Sequence, residues 1–149
     1  MSVVQSPVGP LGADTDGQAI TALIWGRAGT LTDGPLADQF SAKLSAYFAG
    51  DLTDFSLPLA TRGNTFQQRF YRALCDIPYG ETRTYGDLAK DLIVSAQAIG
   101  QACGANPIAV LLPCHRVHGA NGLGGYSGAG GIEAKVTLLK LEGAAGLLI

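Results

Sequence analysis

Apolar and polar positions in the first sixty residues predict a short strand, a helix and an extended connection. Residues 19–26 are mostly apolar and follow the turn dipeptide Asp16-Gly17, which favours a β-strand in a hairpin with the segment before it. Residues 35–50 begin with a proline, end with a glycine and carry an apolar residue at every fourth position, as expected for a helix with one apolar face. Those apolar positions are Leu36, Phe40, Leu44 and Phe48. Residues 51–63 have no helical period and are expected to be extended.

After residue 63 the pattern changes to short amphipathic segments, each preceded by a residue that can cap a helix. Three helices are predicted, over 65–75, 85–92 and 96–104. The expected caps are Asn64 or Thr65, Thr84 and Ser95, and the expected inward positions are Phe66, Phe70, Ala73, Leu74, Leu88 and Leu92. Because only a tight turn separates the second helix from the third, this pair predicts a helix-turn-helix.

The remaining chain predicts a buried strand, a turn, a loop and a last helix. The run "IAVLL" (108–112) is short, apolar and rich in β-branched residues, which favours a buried strand. Pro113 cannot extend a ladder of hydrogen bonds and is expected to turn the chain. Residues 118–131 are glycine-rich and are expected to form a loop that approaches a ligand closely. Residues 132–143 predict a helix that ends at Gly143, with Val136, Leu138 and Leu139 inward.

Composition places these elements in a globular chain of mixed class. Of the 149 residues, 47% are hydrophobic and 15% are charged, which is enough apolar material for one domain or two small lobes. We expect a small N-terminal α/β lobe over 1–62 and a mainly helical C-terminal domain over 63–149. No apolar run reaches about 18 residues, and the N-terminus lacks a basic segment followed by an apolar one, so we expect no membrane span and a cytoplasmic location.

Charge is distributed unevenly along a chain whose net charge is −2. Two basic and six acidic residues fall in 1–61, whereas eight basic and six acidic residues fall in 62–149. The second half is therefore the expected partner of a polyanion, although its positive excess is small.

The cysteines and histidines favour a thiol chemistry over a disulfide framework or a metal site. Cys75, Cys103 and Cys114 are odd in number and irregularly spaced, which argues against disulfides and fits a reducing compartment. His115 and His118 lie close to Cys114, but this spacing does not match the usual zinc motifs. We expect no metal and no cofactor.

The run Cys114-His115-Arg116 supplies a thiol, a base and a cation at the end of the apolar segment. A thiol becomes a useful nucleophile as the thiolate, which a nearby imidazole and a cation favour. The imidazole in turn needs an acceptor on its second nitrogen, which an Asp or Glu from another segment would have to supply. A cysteine beside an apolar run can equally be a small buried hydrophobe, and we interpret Cys75 and Cys103 as structural residues.

Several longer motifs carry a family resemblance. The segment "NPIAVLLPCHRVHGANGLGGYSG" (106–128), with its Pro-Cys-His-Arg-Val core, resembles the active-site segment of the O6-alkylguanine-DNA alkyltransferases, the methylated-DNA–protein-cysteine methyltransferases. Residues 65–89 and 135–143 resemble the same family closely, and parts of the first sixty residues resemble its N-terminal lobe. The resemblance implies an RNase H-like N-terminal lobe and a winged-helix-like C-terminal domain. It also implies irreversible, single-turnover transfer of an alkyl group from O6 of guanine, and from O4 of thymine, in DNA to a cysteine.

The resemblance also implies roles for individual residues. Cys114 would accept the alkyl group, with His115 as a base acting through water and Glu142 orienting His115. Asn106 would brace the loop that carries the cysteine. Tyr85 would stand at a phosphate beside the lesion and protonate the leaving guanine.

A second set of residues is implied to bind the substrate and DNA through the minor groove, with the target guanine flipped out of the stack. These residues are Thr84, Ser95, Gln97, Arg116, Val117, Tyr126 and Ser127. Gln97 is a departure, since most of the family has an arginine at the position that fills the gap left by the extruded base. Without that charge, attraction to phosphate is expected to be weaker. Gly104 and Ala105 stand where a basic residue is common, and the loop over 127–134 is longer than usual.

Two other functions remain open at this point. One is a protein that recognises alkylated bases without repairing them and recruits other repair factors, although the relatives of that kind lack the cysteine. The other is a Cys-His hydrolase, which would need an oxyanion site and multiple turnover. For the alkyl-transfer function we expect a monomer, with cooperative binding along DNA left open.

Overall fold

The structure is a computed structural model that describes residues 3–26, 34–120, 122–124 and 131–144. The chain divides into two compact units, Met1–Ala60 and Thr61–Ile149. The combination of a small sheet in the first unit with a mainly helical second unit confirms the mixed α+β class expected from the sequence. No helix within the described ranges is long and apolar enough to cross a bilayer.

The first unit is built on an antiparallel sheet of order β1-β2-β3. The strands are β1 (Val3–Val4), β2 (Leu11–Thr15) and β3 (Ile20–Trp25). The predicted hairpin is confirmed, and Asp16 shapes its turn by accepting hydrogen bonds from the backbone amides of Gln18 and Ala19, both at 2.9 Å. The segment predicted to be extended reaches the sheet at Leu59, which pairs with Ile20 in a parallel bridge.

Helix α1 (Pro35–Phe48) covers this sheet, and its buried face differs from the predicted one. It starts with proline at its first turn and is followed by Gly50 at φ 82°, so its start and stop are as expected. The buried positions are Ala37, Phe40, Leu44 and Tyr47. Because an α-helix has 3.6 residues per turn, positions four apart shift steadily around the helix. Leu36 and Phe48, at the two ends of the predicted apolar face, are therefore only partly buried.

The second unit opens with α2 (Thr65–Cys75), α3 (Tyr85–Leu92) and α4 (Ala96–Gly104), as predicted. Each has the expected cap: Asn64 and Thr84 form capping boxes with Gln67 and Asp87, and Ser95 accepts a hydrogen bond from Ala98. Phe70, Leu74, Leu88 and Leu92 are buried, whereas Phe66 and Ala73 are only partly covered. The turn of the helix-turn-helix passes through Ile93, which is in the left-handed region at φ 59°.

The apolar run 108–112 is buried, but the prediction that it is a strand is wrong. The backbone folds into a tight turn in which the amide of Leu112 donates to the carbonyl of Ile108 at 2.9 Å, and Val110 takes a φ of 74°. A buried backbone needs partners for its polar groups, and a turn together with a buried side chain supplies them here without a sheet. Hydrophobicity alone predicts that such a run is buried, and it does not distinguish a strand in a sheet from a buried turn.

Pro113 leads the chain into a single 3₁₀ turn, Cys114–Arg116, and then into the short strand β5 (Val117–His118). This strand pairs in parallel with β4 (Arg83–Thr84), directly before α3. The pairing brings the start of α3 beside the segment that carries Cys114. Helix α5 (Gly131–Leu141) completes the unit, with Lys135 buried on it and the predicted core residue Val136 only partly covered.

Candidate functional site

Cys114 sits at the end of the buried turn, and Asn106 holds that turn closed. The Asn106 side chain donates to the carbonyl of Leu112 at 2.8 Å and accepts from the amide of Ile108 at 3.0 Å. One amide group therefore ties the beginning of the segment to the residue two positions before Cys114. The Cys114 residue is 3% exposed, so the sulfur is held in a nearly closed environment.

His115 and Glu142 form a buried pair beside this turn. Nε2 of His115 lies 2.8 Å from Oε2 of Glu142, and both side chains are inaccessible to solvent. The carboxylate predicted to orient the imidazole is thus in contact with it, although 27 positions separate the two residues in sequence. The second ring nitrogen of His115, Nδ1, is also buried, and it has no hydrogen-bond partner among the described residues.

Arg116 completes this network from the other side of Glu142. Its Nε donates to Oε1 at 2.8 Å and its Nη2 donates to Oε2 at 2.9 Å, while Nη1 donates to the carbonyl of Ile77 at 2.8 Å. The guanidinium also lies over the ring of Tyr79, 5.9 Å from its centroid. A fork of this kind keeps a buried carboxylate ionised and fixed in orientation.

These contacts determine the protonation states of the pair. Burial alone would raise the pKa of Glu142, but the hydrogen bonds from His115 and Arg116 lower it to about 2. For His115, burial lowers the pKa and outweighs the opposite effect of Glu142. The imidazole is therefore neutral near neutral pH and donates its one proton from Nε2 to the carboxylate. Its Nδ1 is left as an acceptor, which is the form that a general base requires.

The thiol of Cys114 is subject to opposing influences. Burial raises its pKa and outweighs the side chain of Asn106 and the positive charge of Lys135, both of which lower it. Cys103 has a pKa raised to about 12, by burial first and by the neighbouring Cys114 second, so it remains protonated. Both thiols are therefore protonated at rest, and Cys114 differs from Cys103 in having the side chain of Asn106, which lowers its pKa, and the neighbouring base His115.

Tyr85, the first residue of α3, borders this region. Burial raises its pKa first, and the nearby Cys103 and Cys114 raise it further, so the phenol keeps its proton. Its ring lies against Gly124 and 5.7 Å from Nζ of Lys135. The structure therefore brings together Cys114, His115, Glu142, Asn106 and Tyr85 in one part of the second unit.

The DNA-contacting residues expected from the sequence fall into three groups. Ser95 and Gln97 are exposed at the start of α4, and Thr84 is half-buried in front of α3. Arg116 and Val117 are buried, and the Arg116 guanidinium is engaged by Glu142, so their part in binding substrate or DNA stays a prediction. Tyr126 and Ser127, like the first half of the long loop over 127–134, lie outside the described residues, and residues 131–134 belong to α5.

Lys135 was not among the site residues predicted from the sequence. It is fully buried on α5, and its Nζ donates to the carbonyls of Val117 and Leu123. The burial of Lys135 could have been predicted from its spacing to Leu138 and Glu142. Lys135 precedes Leu138 by three positions and Glu142 by seven, so both charged residues fall on the apolar side of the helix predicted over 132–143.

A cavity of about 350 Å³ lies elsewhere in the second unit, between α2 and α3, and is lined by residues that include Arg69, Arg72 and Leu88. Cys114 does not line it. A pocket for a base beside Cys114 remains a prediction from the sequence.

Two family models match this chain. Residues 1–61 match the 6-O-methylguanine DNA methyltransferase, ribonuclease-like domain. Residues 65–144 match the 6-O-methylguanine DNA methyltransferase, DNA binding domain. Together they cover most of the chain, and the second match contains every residue of the Cys114 network.

Individual relatives agree over nearly the full length. A methylated-DNA–protein-cysteine methyltransferase of Mycobacterium leprae is 44% identical, covering 93% of this chain and 89% of the relative. One from Methanosarcina acetivorans is 42% identical, covering 95% and 97%. The crystal structure of Mycobacterium tuberculosis OGT in complex with DNA superposes with a TM-score of 0.84 at 44% identity, covering 98% of this chain and 94% of that one.

Proposed function

This chain belongs to the 6-O-methylguanine DNA methyltransferase family, as its motifs predicted, and we propose that it repairs DNA by transferring the alkyl group of O6-alkylguanine to Cys114. The observation that carries this proposal is the buried contact between His115 and Glu142 beside Cys114. The relatives are named as methyltransferases, and these names give no support to a binding protein that leaves the lesion in place.

The chemical step uses the residues of this network. A proton leaves the Cys114 thiol through a water molecule to Nδ1 of His115, whose Nε2 is held by Glu142. The thiolate sulfur attacks the alkyl carbon, so that a sulfur–carbon bond forms as the bond between that carbon and O6 breaks. The electron pair of the broken bond leaves with guanine, which takes up a proton from the Tyr85 hydroxyl. The thioether is stable, so each molecule reacts once.

Burial of the thiol supports a flipped substrate. At 3% exposure, Cys114 cannot meet an alkyl group that stays inside a base stack. We therefore propose that the damaged base is extruded through the minor groove into a pocket beside Cys114. The same route would serve O4-alkylthymine. Ser95 and Gln97, exposed at the start of α4, would contact DNA while Thr84 and Tyr85 approach the backbone near the lesion.

The two parts of the chain have different proposed roles. Residues 63–149 would bind DNA and carry out the transfer, and residues 1–62 would form the accessory N-terminal lobe. DNA is the proposed partner, supported by the DNA complex of the Mycobacterium tuberculosis relative. The protein would act in the cytoplasm, as a monomer and without a cofactor.

Intact-protein mass spectrometry tests this function. The natural protein is incubated with duplex DNA that contains one O6-methylguanine, in parallel with Cys114→Ala and Cys103→Ala. The proposal predicts a gain of one methyl group per molecule that saturates, is kept in Cys103→Ala and is lost in Cys114→Ala. Binding to the lesion without any gain in mass would instead favour a recognition protein.

A further inference from the structure

Lys135 is a buried cation that the transfer step described above does not use. Its side chain is fully buried on α5, where an ammonium group is costly unless polar atoms surround it. Nζ donates to the carbonyl of Val117 at 2.6 Å and to that of Leu123 at 2.5 Å. Charge-assisted hydrogen bonds of this length are among the stronger contacts that a side chain makes with backbone.

The two carbonyls belong to segments that border the reactive cysteine. Val117 directly follows the 3₁₀ turn Cys114–Arg116, and Leu123 lies six positions further along the chain. One ammonium group therefore fixes both ends of the intervening segment to α5. That segment also contains a close approach between the backbones of Gly119 and Gly122.

Gly124, the residue after Leu123, lies against the side chain of Tyr85. Gly124 has a φ of 72°, and a Cβ at that position would come within 2.7 Å of the Tyr85 hydroxyl oxygen and 2.9 Å of its ring. Only glycine permits both this backbone conformation and this approach. Lys135 thus holds the Leu123 backbone beside the phenol, and Nζ itself lies 5.7 Å from the centroid of that ring.

We propose that Lys135 is a positioning residue for alkyl transfer, which clamps the Leu123–Gly124 backbone onto Tyr85 and thereby fixes the phenol relative to Cys114. The proposal rests on the alkyl-transfer function above. Lys135 touches neither the alkyl group nor the guanine. Its effect is to keep a proton donor at the distance and angle that the leaving base requires, and small displacements of such a group slow a reaction strongly.

The test compares four variants with the natural protein in single-turnover methyl transfer from duplex DNA that contains O6-methylguanine. Lys135→Met removes the clamp, and Gly124→Ala forces the segment away from Tyr85 without touching the lysine. The double variant combines the two. Lys140→Met changes an exposed lysine of the same helix and is the matched control. For each protein the amplitude, the maximal rate constant and the half-saturating DNA concentration are measured.

Both single variants should lower the maximal rate constant by about 10- to 100-fold, with the half-saturating DNA concentration unchanged. The amplitude should stay near one methyl group per folded molecule, since a folding defect lowers the amplitude and leaves the rate constant of the remaining molecules intact. Because both changes act on one contact, the double variant should be no slower than the slower single variant. Lys140→Met should match the natural protein.

A maximal rate constant within twofold of the natural value in Lys135→Met would overturn the positioning role. So would a loss confined to the amplitude, or a double variant in which the two losses multiply. If the natural protein itself gains no methyl group from this DNA, the proposed function fails, and that result is separate from any difference between the variants.

Discussion

Nε2 of His115 and Oε2 of Glu142 lie 2.8 Å apart, and solvent reaches neither side chain. Arg116 donates to both oxygens of the same carboxylate, so Glu142 stays ionised and can only accept a hydrogen bond from the imidazole. The imidazole proton is therefore held at Nε2, and Nδ1 is the basic nitrogen. One glutamate thus selects the tautomer of the base and, at the same time, neutralises a buried arginine.

Replacing Glu142 by glutamine should impair both activity and stability. The neutral amide no longer holds His115 in the required tautomer, and the rate constant of methyl transfer should fall by about 10²- to 10⁴-fold. It also leaves the Arg116 guanidinium buried without its counter-ion, which should cost about 3–5 kcal/mol in the free energy of unfolding. Single-turnover transfer and urea unfolding measure the two effects. Glu133→Gln, at an exposed position of α5, is the control and should change neither.

Stability should fall in two steps as the solution is acidified. His115 has a depressed pKa in the folded protein, so below its ordinary pKa of about 6.5 the unfolded chain takes up a proton that the folded chain does not. Stability is therefore lost as the pH falls below about 6.5. Glu142 contributes stability above its unfolded pKa of about 4.3, and this contribution disappears as the pH falls towards its folded value of about 2.

Urea unfolding between about pH 8 and about pH 2 would measure both steps. The depressed pKa of Glu142 corresponds to about 3 kcal/mol that is present near neutrality and lost in strong acid. In His115→Gln the loss that begins near pH 6.5 should be absent, while the loss at lower pH remains. A variant that follows the natural profile over its whole course would show that His115 is not the group that titrates first.

The sequence predicted the elements whose determinants are local. Asn64, Thr84 and Ser95 each bond to the first turn of the helix that they precede, so α2, α3 and α4 begin where their caps predicted. Family motifs then indicated Cys114, His115, Glu142, Asn106 and Tyr85 as one site. Spacing alone could not have joined His115 to Glu142, because their contact depends on how α5 packs against the 3₁₀ turn.

Features that depend on tertiary partners were predicted less well. The run 108–112 was expected to be a strand because its apolar character indicates burial, and the amide of Asn106 that satisfies its backbone is invisible in that pattern. Lys135 was passed over because a lysine in an amphipathic helix is usually solvated. Its burial follows from two backbone carbonyls that come from other segments.

Removing the Asn106 side chain should loosen the cysteine-bearing turn and make the thiol less reactive. Asn106→Ala leaves the amide of Ile108 without its buried partner, at a cost of about 1–3 kcal/mol, and leaves the carbonyl of Leu112 bonded to the amide of Cys114 alone. It also removes a contact that lowers the pKa of Cys114 against the opposing effect of burial. The rate at which iodoacetamide alkylates Cys114, measured as a function of pH, should therefore begin to rise at a higher pH in Asn106→Ala than in the natural protein.

Asn64→Ala provides the matched control for that experiment, since it removes another asparagine that bonds to backbone. It should cost about 1 kcal/mol through loss of the α2 cap and leave the alkylation profile of Cys114 unchanged. An unshifted profile in Asn106→Ala would contradict the influence of Asn106 on the thiol.

Introducing an arginine at Gln97 should strengthen binding to duplex DNA. Gln97 is exposed at the start of α4 and carries no charge, so Gln97→Arg adds one cation to the proposed DNA-binding face. Affinity should increase, and the slope of log K against log salt should steepen by about 0.9 for one added phosphate contact. Gln101→Arg, one turn further along α4, tests whether any added charge on this helix has the same effect. No gain in affinity for Gln97→Arg would contradict the proposed position of this residue at the DNA.

The most direct test of the central claim is to locate the transferred methyl group. After reaction with duplex DNA that contains O6-methylguanine, the protein is digested and the peptides that contain Cys75, Cys103 and Cys114 are fragmented in a mass spectrometer. The proposed function predicts S-methylcysteine at Cys114 in every reacted molecule, with Cys75 and Cys103 unmodified. A methyl group on either of those cysteines, or none on Cys114 after the lesion has been bound, would contradict it.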